Sequence, residues 1–71
     1  MLTKSEVMDR SYLDVRSALV EMAATLDRYD RGKGDTDERA GELFRALRLL
    51  ADSRDAAPRR CEQILNFFTE D

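Results

Sequence analysis

Apolar residues recur along the first part of the chain with spacings that alternate four and three: Met8, Tyr12, Val15, Leu19, Met22, Leu26 and Tyr29. A line held through seven positions without a break is the heptad pattern of an α-helix with one apolar seam. Its start is marked by Thr3 and Glu6, which fit the S/T-x-x-E capping box, with Leu2 and Val7 placed for a hydrophobic staple. No proline or glycine follows until Gly32. The pattern therefore predicts a first helix over about 4–31, roughly 42 Å long at 1.5 Å per residue, with Gly32 as a left-handed residue just past its end. Charged side chains such as Glu6, Arg10, Asp14, Glu21 and Arg28 fill the side away from the seam, which reads as solvated.

Gly32-Lys33-Gly34-Asp35 reads as a short turn, with Asp35 or Thr36 as the cap of the next element. Ala40, Leu43, Phe44, Leu47, Leu50 and Ala51 then share one face of a second helix over about 36–52. Gly41 interrupts it, a position where two helices could approach closely. After the connection Ser53 to Ala57, Pro58 suits the first turn of a third helix over about 58–68, capped by Asp55, with Cys61, Ile64, Leu65 and Phe68 on one face. The acidic ending Thr69-Glu70-Asp71 is expected to fray.

No alternating period-2 segment occurs, so the expected fold is all-α. A long N-terminal helix packs antiparallel against two shorter ones in a single domain over 1–71. Two arrangements stay open: a three-helix bundle, or a helical hairpin with a short third helix. At this length a chain buries only about 60% of the surface its unfolded form exposes, so support from another source is expected. One cysteine excludes an intramolecular disulfide, and the lack of histidine removes the usual zinc ligands. Self-association into a larger bundle is what remains. Apolar residues outside the main faces mark where it would occur: Leu13, Val20 and Ala23 beside the seam, Leu49 on the second helix and Phe67 on the third.

Charge and chemistry narrow the function classes without naming one. A net charge of −3 gives no general attraction to nucleic acid or anionic membrane, and no segment resembles a signal peptide or a membrane span. The expectation is a cytoplasmic protein. Without histidine, Ser-His-Asp and Cys-His nucleophilic sites and Glu-x-x-His metal pairs cannot form, so no catalytic residue, cofactor or metal is assigned. Asp30, Asp35 and Asp37 crowd the first turn but fit no calcium-loop register. Cys61 shares a face with Ile64 and Phe68, which predicts a buried thiol.

The leading expectation is a helical protein-interaction or structural module that forms a homodimer, with another protein as the alternative partner. A small nucleic-acid-binding regulator using Arg45, Arg48, Arg59 and Arg60 is the first alternative. Acidic residues interleave with those arginines, so nucleic acid is not the expected partner. An accessory subunit of a larger enzyme is the second.

Overall fold

The computed structural model describes residues 1–69, and all regular structure in them is helical: α1 (Lys4–Arg31), α2 (Glu38–Ala51), a 3-10 turn (Ser53–Ala56) and α3 (Arg60–Thr69). Glu70 and Asp71, part of the ending expected to fray, lie outside the described residues. The chain divides into two compact units, Met1–Gly34 and Asp35–Asp71.

The first unit is α1 with its flanking residues. It begins where the capping box places it. Thr3 Oγ1 accepts the Glu6 N–H at 3.1 Å, and the Glu6 carboxylate accepts the Thr3 N–H at 3.0 Å. The two bonds occupy backbone donors that the open end of a helix leaves without partners. The far end departs from the sequence expectation. Gly32 is extended (φ −67°, ψ 158°), and its N–H donates to Tyr29 O at 3.0 Å. This i→i−3 bond tightens the last turn and satisfies a terminal carbonyl, so no left-handed residue is needed there. The positive φ falls two residues later, at Gly34 (φ 100°).

The second unit holds α2, the 3-10 turn and α3. α2 starts later than expected because Asp37, rather than Asp35 or Thr36, is its cap: Asp37 Oδ1 accepts the Arg39 N–H at 2.9 Å. Pro58 stands in the turn before α3, after a cis Ala57–Pro58 peptide, and Asp55 lies inside the 3-10 turn, so neither opens the third helix. A Cβ on Gly41 would meet only the Arg45 guanidinium, at 3.4 Å, so within this unit that glycine marks no close helix approach.

What this unit buries is small. Ala46 is 6% exposed and Ser53 4%. With half-buried Glu42 and Leu49 they form a line at spacings of four, three and four, the inward side of α2 and its extension. The Ser53 hydroxyl donates to Leu50 O at 2.6 Å and accepts from Arg60 Nε at 2.8 Å, linking the end of α2 to the start of α3. That tether turns Gln63, Ile64 and Phe67 toward partial burial. Cys61 is exposed, contrary to the expected buried thiol, because it lies roughly 60° from Ile64 and 120° from Phe67 around the helix.

Candidate protein-interaction surface

Each residue of an α-helix advances about 100° around the axis, so the seam of α1 occupies one strip and the residues that follow seam positions lie a quarter to a third of a turn away. None of α1 is buried. Along the seam, Met8, Tyr12, Val15 and Leu19 are each more than half exposed and Met22 is exposed as well, while Leu26 and Tyr29 are half-buried. Leu13 and Val20, which follow Tyr12 and Leu19, are 69% and 62% exposed. They line a shallow groove of about 380 Å³ with Arg16, Ser17 and Glu21. Ala23 is exposed too. α1 thus carries two apolar lines, the seam and the Leu13/Val20 line, where a helix on the outside of a self-contained domain would carry one.

In the second unit, Leu49 and Phe67 are half-buried, and Phe67 packs edge to face on Phe68 with ring centroids 5.1 Å apart. The exposed apolar side chains there are Leu43, Phe44, Leu50, Leu65 and Phe68. The sequence pattern placed all five of these on the apolar faces of the two helices. Their exposure follows from the rotation that the Ala46 and Ser53 line imposes on α2 and the Arg60 tether imposes on α3.

Several of the charged groups are occupied locally. Arg59 forms a bidentate pair with Glu62 (Nε–Oε2 2.8 Å, Nη2–Oε1 2.9 Å), which holds the Glu62 carboxyl below its ordinary pKa. Arg60 is turned onto Ser53. Arg45 and Arg48 are exposed on α2. The arginines considered for nucleic acid therefore do not form a set of four free cations. At the start of α2, the Arg39 guanidinium on Asp37, assisted by the Arg39 N–H, lowers the Asp37 pKa to about 2. Hydrogen bonds from Thr3, first from its backbone N–H, lower that of Glu6.

Among the described residues there is no group of three or more Cys, Asp or Glu side chains arranged to hold a metal ion, and no helix long and apolar enough to cross a membrane. Compared with protein-family models, curated proteins and solved structures, the chain matches none.

Proposed function

We propose that the protein is a self-associating helical interaction module, a homodimer whose main scaffold is α1, and not an enzyme. The observation behind this reading is that α1 buries no residue and leaves two apolar lines exposed, most of the seam and Leu13 with Val20. In the proposed assembly, α2 and α3 run antiparallel to α1 within each chain, and two chains meet through Leu13, Val20 and Ala23 to form a bundle of four or more helices with a two-fold axis.

Light scattering on a sizing column tests this directly. A dimer is expected at micromolar concentration, and Leu13→Glu with Val20→Glu should move it toward monomer or unfold it. A wild-type chain that stays monomeric through that range overturns the proposal. The nucleic-acid reading is not advanced, since the Arg59–Glu62 and Arg60–Ser53 pairs would have to open before those cations could meet phosphate.

A further inference from the structure

We infer that the Lys33–Gly34 peptide bond is the preferred cleavage site of the folded protein for endoproteases that cut after basic residues. One water is consumed there, supplying the hydroxyl of a new Lys33 carboxyl group and the proton of a new Gly34 amine, and the products are residues 1–33 and 34–71. The inference does not depend on self-association, because it concerns the end of the first unit and neither apolar line of α1.

An endoprotease draws several residues on each side of the bond into an extended strand in its cleft, and helical backbone cannot supply that strand without first opening. Of the 12 Lys and Arg residues, five lie in α1, three in α2 and one in α3, leaving Lys33, Arg54 and Arg59. Arg54 is inside the 3-10 turn, next to Ser53, which is 4% exposed, and its carbonyl accepts the Ala57 N–H at 3.3 Å. Arg59 leads directly into α3. Its carbonyl accepts the Gln63 N–H at 3.0 Å, and its guanidinium, the group such a protease must hold, is engaged by both carboxylate oxygens of Glu62. Both bonds are therefore tied into folded structure.

Lys33 differs on each point. Residues 32–37 form no helix and are exposed throughout. Among the described residues, no hydrogen bond engages the backbone of Lys33 or Gly34 and no carboxylate pairs with the Lys33 ammonium. Gly32, on the leading side, is already extended (φ −67°, ψ 158°). On the trailing side, nothing lies within 4 Å of where a Cβ on Gly34 would stand. Gly34 holds φ 100° and must rotate to enter a protease cleft, a change that glycine makes at little cost. The nearest competitor is the Arg31–Gly32 bond. It follows the last residue of α1, and the Gly32 N–H is donated to Tyr29 O at 3.0 Å, so that bond waits for the last helical turn to open.

Brief digestion of the native full-length chain with dilute trypsin, read by mass spectrometry of the fragments, tests this. The earliest products should be 1–33 and 34–71, and Lys33→Gln should make the intact chain persist several-fold longer, since the remaining bonds are cut only as folded structure opens. In the urea-unfolded chain the preference should disappear. If it persisted there, local sequence rather than the fold would set it, and the inference would fall. A first cut of the native chain at Arg31, at Arg54, at Arg59 or within a helix would overturn it as well, as would equal lifetimes of the wild-type and Lys33→Gln chains.

Discussion

The two units hold their helices by different means. α1 is specified almost entirely by neighbours along its own chain: a reciprocal cap at Thr3 and Glu6, a long run without helix breakers, and an i→i−3 bond at Gly32. It buries no residue. The second unit depends on contacts between elements, with Ala46 and Ser53 inside and the Ser53 hydroxyl joining Leu50 to Arg60. Local signals are sufficient to define a helix but supply little tertiary stability, since most helical stability in proteins comes from packing an apolar face. The unit with the better-defined helix is thus the one that buries least within itself.

The contrast is sharpest under substitutions that strike one unit at a time. Ala46→Leu adds bulk to the most buried apolar position and should destabilise the second unit by about 1–3 kcal/mol. Amide hydrogen exchange should show α2 and α3 losing protection while the first turns of α1 keep theirs. Equal losses throughout would mean that the units unfold together and would break the comparison.

A smaller effect is expected at the other end. Thr3→Ala removes the α1 cap and should cost about 1 kcal/mol, seen as a lower denaturation midpoint with fraying confined to the first turn. An unchanged midpoint would show that the capping box adds nothing beyond what the rest of the helix secures.

The smallest effect is electrostatic. Asp37 has its pKa lowered from 3.8 to about 2, so its contribution is fully present above the unfolded value and is lost as pH falls through the folded one. The Asp37 carboxyl carbon should titrate in nuclear magnetic resonance with a midpoint near 2, with shifts in the Arg39 amide alongside. A midpoint near 3.8 would mean that the Arg39 pair does not persist in solution. Because the carboxylate is exposed, the global denaturation midpoint should barely move.

How much was legible in the sequence follows the same division. The bounds of α1 agree with the reading of Thr3, Glu6 and the seam, because those signals act within a few residues of where they are written. Within the second unit alone, the half-buried lines of α2 and α3 are offset by a residue or so from the expected apolar faces, although Ala40, Leu47 and Ile64 belong to both. Binary patterning favoured Leu43, Leu50 and Cys61 as inward, but the inward side is chosen by one small residue, Ala46, and by the Ser53–Arg60 bond across seven residues. A polar tether of that kind leaves no periodic trace. Gly32 was read correctly as a helix end and incorrectly as a left-handed one. Of the apolar positions suggested for association, Leu13, Val20 and Ala23 are exposed, while Leu49 and Phe67 are half-buried for the same reason that α2 and α3 turned.

Gly32 and Gly34 end the first unit through two unrelated steric conditions. At Gly32 the backbone is extended, and an added Cβ would press to 3.1 Å from Tyr29 O. At Gly34 nothing lies within 4 Å of an added Cβ, and only the sign of φ excludes an L side chain. Position 34 is therefore selective for handedness and indifferent to size. A D-alanine introduced by chemical synthesis would fit there without strain, and it would also narrow the freedom of the unfolded chain, which no genetically encoded residue can do at that point. The junction between the units is in that sense a stereochemical choice, open to mirror-image chemistry and closed to ordinary mutation.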